Sequence, residues 1–313
     1  MSSNTGDAEP NSLETFRWQV GGDSVRGAAH FRSGLPNQDS IAMRVGSDGS
    51  TPIILSVSDG HGSPKCFRSD IGAKLASEVA VDVTSRFIAG LGQAAASEIK
   101  RAAESYLPRD IVATWRCKVA EHLLSHPFSA SELLILGCKD EPRSADDLAG
   151  RNEFFLAYGA TLVLVAVLDS CIFYLQLGDG NVITVSSSGE VKAAMTADPE
   201  LIANETTSLC MPKAPSLFRS RFHLIQVDTP ALIVASTDGY VNSFASTEDF
   251  LKSGPDLLSI LQRSGMDEVL GALPSWLNAS SQDGSGDDVS LGFIWRQPLL
   301  AETIAPNTNG QSI

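Results

Sequence analysis

Five segments place aspartate where an apolar run stops or starts. Asp59 directly follows the run 54–58 (ILSVS) and opens Asp59-Gly60-His61-Gly62. Asp238 follows the run 231–236 (ALIVAS) after Thr237 and precedes Gly239. Asp179 follows 172–177 (IFYLQL) in Gly178-Asp179-Gly180. Asp39 opens 40–45 (SIAMRV) in Asn37-Gln38-Asp39-Ser40, and Asp287 and Asp288 precede 289–295 (VSLGFIW). A single Asp-Gly at a strand end is an ordinary turn signal. Repetition changes that reading, because sheets bring strand ends together at one edge. Two like charges about 5 Å apart repel by about 3 kcal/mol at an effective dielectric of 20, so a converged set must hold extra protons or bind divalent cations. An all-oxygen set favours Mg2+ or Mn2+ over zinc. The glycine after Asp59 lets a main-chain carbonyl approach an ion.

The elements that must position these carboxylates follow from the periodicity. Phe16, Trp18 and Val20 alternate with polar residues, as do Ile41, Met43 and Val45, and 52–57 is a short apolar run; all three read as strands. Ile71, Leu75, Val79, Val83 and Phe87 recur every four residues, which predicts a helix over about 64–89 ended by Gly90 and Gly92. A second helix is expected over about 94–125, interrupted near Pro108, then a short helix at 129–136 and a charged loop at 139–152. Strands are expected at 160–168, 171–177 and 181–186, the first two joined by a tight Asp169-Ser170 turn, and again at 221–227, 231–236 and 289–295. Helical patterns lie at about 247–263 and 266–278. Hairpins imply antiparallel sheets, and two packed sheets with helices outside would use all these elements. Trp115, Trp276 and Trp295 sit on apolar faces and are expected in the core. His122, His126 and His223 have no partner at ligand spacing and are expected in surface or helix-end roles.

Composition bounds the remaining choices. The 313 residues are 43% hydrophobic and 19% charged, enough for a sizeable core, and carry a net charge of -14. That charge repels phosphate backbones and disfavours nonspecific nucleic-acid binding. The longest apolar run, Leu162–Leu168, is far below the roughly 20 residues a membrane span needs. Five widely spaced cysteines without a Cys-x-x-Cys pair point to reduced thiols in a cytoplasmic setting. Neither a Gly-x-Ser-x-Gly elbow nor a phosphate-binding Gly-x4-Gly-Lys loop is present. The expected organisation is a disordered tail over 1–15, one domain over 16–296 and a trailing segment over 297–313, with no signal peptide.

Taken in order, Asn37-Gln38-Asp39-Ser40, Asp59-Gly60-His61-Gly62, Gly159-Ala160-Thr161-Leu162, Gly178-Asp179-Gly180, Ser236-Thr237-Asp238-Gly239 and Asp287-Asp288-Val289-Ser290 resemble the metal-dependent protein phosphatases of the 2C type. The spacing from His30 to Asp39 and the later Asn204–Leu209 look like a bacterial branch of that family. The resemblance implies an α+β fold, a four-layer α-β-β-α sandwich of two antiparallel sheets flanked by helices. It implies a hydrolase of phosphoserine and phosphothreonine in proteins, with two Mn2+ or Mg2+ ions and a phosphoprotein substrate belonging to a cognate serine/threonine kinase or its target. It also implies roles. Asp59 would bridge the two ions, Asp238 and Asp287 would complete one, and the Gly60 carbonyl would bind the other. Asp39 would orient the attacking water, and His61 would act as general acid for the departing alcohol.

This sequence departs from the family pattern at four places. Gln38 stands where the family has glutamate; an amide can still orient water, but the site loses a charge. Gly34 occupies the usual position of a phosphate-gripping arginine, leaving His30 or Arg32 as replacements. The arginine expected after the Gly-Asp run is Asn181, and the aspartate expected four residues after Asp238 is Asn242, so Asp179 is expected to hold a third ion only weakly. These departures keep open an alternative, a degenerate phosphatase fold that binds phosphoprotein or a partner without turnover.

Overall fold

The computed structural model describes residues 15–47, 49–140, 144, 147, 150–195, 206–226 and 228–299. Among the described residues, ten strands form two five-stranded sheets in which every pairing is antiparallel. The first sheet runs β1 (Thr15–Val25), β10 (Val289–Leu299), β9 (Leu232–Ser236), β6 (Asn181–Val185), β7 (Val191–Ala193). The second runs β2 (Asp39–Arg44), β3 (Ile53–Asp59), β4 (Leu162–Val167), β5 (Cys171–Leu177), β8 (Arg219–Leu224). The helices are α1 (Ala28–Ser33), α2 (Ser69–Leu91), α3 (Ala96–Ser125), α4 (Ala130–Leu136), α5 (Asn152–Leu156), α6 (Ala214–Leu217), α7 (Asp238–Val241), α8 (Thr247–Ser264) and α9 (Met266–Ser280). No described helix is long and apolar enough to cross a membrane.

The four layers follow from side-chain alternation. In β4 every residue is buried, and the two faces serve different cores. Val163, Val165 and Val167 meet Ile53, Leu55, Ile233 and Ile294 between the sheets, while Leu162, Leu164 and Ala166 lie under α2 and α3 with Trp115, Phe154 and Tyr158. A strand covered on both faces reads as a continuous apolar run, even in an antiparallel sheet. On the other side, Val234, Leu291 and Phe293 pack against Phe250, Leu258, Leu261, Val269 and Leu273 of α8 and α9. The α+β sandwich expected from the sequence is the architecture found.

Close approach of α2 to the segment that leads into β4 rests on one glycine. A Cβ on Gly72 would lie 1.9 Å from the Tyr158 carbonyl oxygen, a backbone atom that cannot swing aside. The Trp115 indole donates to the Gly72 carbonyl at 3.0 Å, tying α3 to the same turn. Gly72→Ala should therefore destabilise the protein by about 3 kcal/mol, the upper part of the overpacking range, read as a lower denaturation midpoint in urea.

Several expectations are corrected by tertiary packing. The helix expected to break near Pro108 runs unbroken from Ala96 to Ser125. Proline forfeits a backbone hydrogen bond, but Leu107, Ile111 and Trp115 on the same helix are fully buried. β1 continues past Val20 through Gly21 and Gly22 to Val25 because its full length pairs with β10. Helix α2 starts at Ser69, and β8 spans Arg219–Leu224 rather than 221–227. Trp115 and Trp295 are buried, whereas Trp276 is 38% exposed on α9. His122 stacks on His126 at 4.5 Å between ring centroids and contacts the Tyr158 hydroxyl, near the C-terminal end of α3. The tail at 1–14, the segment 300–313, parts of the 139–152 loop, and Asn204 and Glu205 lie outside the described residues.

Candidate metal centre

Strand ends from both sheets meet at one edge of the sandwich. Asp39 and Asp59 stand opposite each other in the β2–β3 ladder, so their side chains share a face. The end of β3 is fixed from both sides. The Gly60 amide donates to the Gln38 carbonyl at 2.9 Å, and the Asp59 amide donates to the Thr161 hydroxyl at 3.1 Å. Across the sandwich, Thr237 at the end of β9 donates its hydroxyl to Asp39 Oδ2 at 2.7 Å and accepts the Ser290 amide at 3.0 Å. That hydroxyl links the two sheets at the acidic edge. Asp238 follows as the first residue of α7. Asp179 occupies the β5–β6 turn, where the Gly178 amide donates to the Thr207 hydroxyl at 2.8 Å.

The electrostatics are those of carboxylates forced together. Burial pushes the Asp39 carboxyl well above its ordinary range, with Asp288 and Asp287 adding to the rise. Asp59 is raised well above its ordinary range by burial, then by the charges of Asp39 and Asp238, a hydrogen bond with Asp238, and the charge of Asp287. Asp238 is raised by burial, with Asp179 and Asp287 adding to the rise. Burial lowers His61, and Asp179 opposes that shift. Without a cation, such a set keeps protons that a cation would replace.

The residues fit a hard divalent cation. An all-oxygen set suits such an ion, and Asp59, Asp238, Asp287 and the Gly60 carbonyl would supply one; the Gly60 carbonyl accepts no hydrogen bond among the described residues. Gln38, the residue before Asp39, is 6% exposed and its Oε1 is buried without a hydrogen-bond partner among the described residues. Asn242 donates to Asp238 Oδ2 at 3.1 Å, so the position that lacks an aspartate supplies a neutral hydrogen bond instead.

Among the described residues, His30, Asp287 and Asp288 are the three acidic or imidazole side chains whose ligand atoms lie within 4.8 Å of one another; Asp59 and Asp238 are linked to Asp287 by charge at longer range. Asp288, however, is already engaged at both oxygens. Its Oδ1 accepts the Gly27 amide at 2.5 Å, and its Oδ2 accepts the Gln38 amide at 2.6 Å and pairs with His30 Nδ1 at 2.8 Å. The carboxylate is a clamp that fixes both ends of the segment carrying α1. His30 is turned inward onto that clamp, and the Arg32 side chain is exposed.

Asp59 thus lies within electrostatic reach of Asp39, Asp238 and Asp287, and Asp179 within reach of Asp238 and His61. Two contributors escaped the sequence reading. Thr237 looked like a spacer before Asp238, and Asp288 looked like a companion of Asp287. Glycine offered a signal, since Gly27 and Gly239 flank the same turns. A Cβ on Gly27 would lie 2.3 Å from the Asp287 carbonyl carbon, and one on Gly239 would lie 2.1 Å from the Asp288 carbonyl oxygen.

The two-sheet sandwich is a fold shared with known proteins. A family model described as Protein phosphatase 2C matches residues 26–277, and the chain belongs to that family. Among solved structures, a bacterial serine phosphatase superposes with a TM-score of 0.54 at 15% identity, covering 92% of this chain and 100% of the other. The S. agalactiae serine/threonine phosphatase gives 0.53 at 16% identity over 89% and 99%. A serine/threonine phosphatase from Staphylococcus aureus gives 0.50 at 14% over 94% and 100%. At these identities the likeness speaks to the fold. No curated protein matches the sequence.

Proposed function

We propose that the chain is a cytoplasmic, Mn2+- or Mg2+-dependent phosphatase that hydrolyses phosphoserine and phosphothreonine in proteins modified by a cognate kinase. The observation that carries this reading is the meeting of Asp59, Asp238 and Asp287 at one sandwich edge, with raised carboxyls on Asp59 and Asp238. Two bound ions would supply acidification of a water molecule and neutralisation of phosphoryl oxygens. In this reading Asp59, Asp238, Asp287 and the Gly60 carbonyl hold the ions, and Asp179 is a weak ligand for a third. Asp39, fixed by Thr237, and Gln38, with its unpaired Oε1, orient the attacking water. Arg32 is the exposed cation available to the phosphate, while His30 serves it only if it leaves Asp288. Cys66 is disfavoured as a nucleophile, since burial pushes its thiol up to about 11, opposite to what an attacking thiolate needs. The five cysteines are unpaired, which suits a reducing compartment.

His61 has the role of proton donor to the serine or threonine oxygen. Its ring packs beside Gly159 and its amide is held by the Gly159 carbonyl at 3.1 Å; burial lowers its pKa, and Asp179 opposes that shift. His61→Asn should lower kcat about 100-fold on a phosphothreonine peptide. On p-nitrophenyl phosphate, whose leaving group needs no proton, the loss should be small. Equal losses on both substrates would remove His61 from this role.

Hydrolysis of a phosphothreonine peptide in Mn2+, compared with Asp59→Asn, tests the reading; equal rates would end it. The neutral Gln38 favours a second reading, a phosphoprotein-binding module without turnover. Calorimetric peptide binding with no phosphate release would support that reading.

A further inference from the structure

The sandwich has a second polar recess, remote from the acidic edge. Strands β7 and β8 end the two sheets on the same side, and between them opens a cavity of 510 Å³. That volume lies within the roughly 300–1,000 Å³ typical of small-molecule sites. Thr184 and Lys192 line it from the first sheet, and Tyr174, Arg221 and His223 from the second. Register explains the lining. Tyr174 pairs with Arg221 and Ile172 with His223, and both Ile172 and Tyr174 face between the sheets. Arg221 and His223 therefore project from the inner face of an edge strand that has no neighbour to cover it.

The charges there are unevenly paired. Lys192 pairs with Glu190 at 3.1 Å. Asp228, also in the lining, lies within electrostatic range of His223. Arg221 has no carboxylate partner among the described residues, and its charge acts on Tyr174 and His223. Tyr174 is 2% exposed yet its hydroxyl has no hydrogen bond among the described residues. His223 Nε2 is buried and likewise unpartnered. Buried polar groups are ordinarily satisfied, so the unpartnered His223 Nε2, set in one cavity with the exposed Arg221 guanidinium and the Tyr174 hydroxyl, points to a ligand that completes it. A guanidinium selects a planar or tetrahedral oxyanion.

We propose that this cavity binds a small metabolite bearing a carboxylate or phosphate group, with the oxyanion on Arg221 and hydrogen bonds from Tyr174 and His223. The site is independent of the phosphatase reading. It is tested by isothermal titration calorimetry of the full chain in EDTA at constant ionic strength, where the acidic edge repels anions. Inorganic phosphate and succinate are the two probes and distinguish the two anion sources. Binding of one probe with a dissociation constant of about 1 mM is expected. Arg221→Gln should weaken it about tenfold and Tyr174→Phe about threefold, while Asp59→Asn leaves it unchanged. Arg221 is exposed, so its variant should keep the wild-type melting temperature. Absence of heat with both probes, or equal binding by wild type and Arg221→Gln, would overturn the proposal.

Discussion

Asp59→Asn is expected to cut Mn2+-dependent phosphopeptide hydrolysis by about a thousandfold or more while raising the melting temperature of the metal-free protein. The two effects have one cause. Asp59 is raised by burial and by Asp39, Asp238 and Asp287 around it. Like charges about 4 Å apart repel by about 4 kcal/mol at an effective dielectric of 20, and proton uptake relieves only part of that. An amide removes the charge, keeps the shape and can donate to Asp238. It cannot neutralise a dication, so the proposed activity is lost while the empty fold is relieved. A variant that lost activity and stability together would indicate a folding defect. One that lost neither would remove Asp59 from the proposed centre.

The second large effect is the response of stability to pH and to Mn2+. Asp39, Asp59 and Asp238 have folded-state pKa values raised above those of the unfolded chain. A raised group contributes stability that is complete below the unfolded value, near 3.9, and is lost as pH climbs through the folded value. The metal-free protein should therefore lose this contribution as pH rises from about 4. His61, His122 and His223 are lowered by burial and act oppositely, adding stability up to about pH 6.5 and no further. The stability difference between wild type and Asp59→Asn cancels the histidines and should widen in the variant's favour as pH rises. Mn2+ at about 100 times its dissociation constant should stabilise wild type by about 2.7 kcal/mol and leave the variant unmoved. Protons displaced from the carboxylates should appear as a buffer-dependent heat of binding. A wild-type melting temperature indifferent to Mn2+ at pH 8 would contradict the account.

What the sequence revealed is what local pattern can encode. Apolar runs with aspartate at their ends gave β3, β5, β9 and β10 and the carboxylates they present, since strand period and turn chemistry are short-range properties. The resemblance over six short motifs carried the topology that no single run could. Long-range contacts were not legible. Nothing near Thr237 announces that its hydroxyl reaches Asp39 in the other sheet, and nothing near Asp288 announces its hold on Gly27, His30 and Gln38. The alternation of Phe16, Trp18 and Val20 says nothing of the Gly21-Gly22 pair through which β1 continues. In the fold it is required, since a Cβ on Gly22 would lie 2.5 Å from Ile41 Cδ1 of the facing sheet. Pro108 looked like a break because its local penalty is visible and the burial that outweighs it is not.

The central claim is that these carboxylates form a cage for divalent cations. A crystal soaked in Mn2+ and measured at the manganese absorption edge tests it most directly. The account predicts strong anomalous peaks between Asp59, Asp238 and Asp287, with at least one within ligand distance of the Gly60 carbonyl. Density showing the carboxylates still hydrogen-bonded to one another, with no anomalous scatterer beside Asp59, would contradict it.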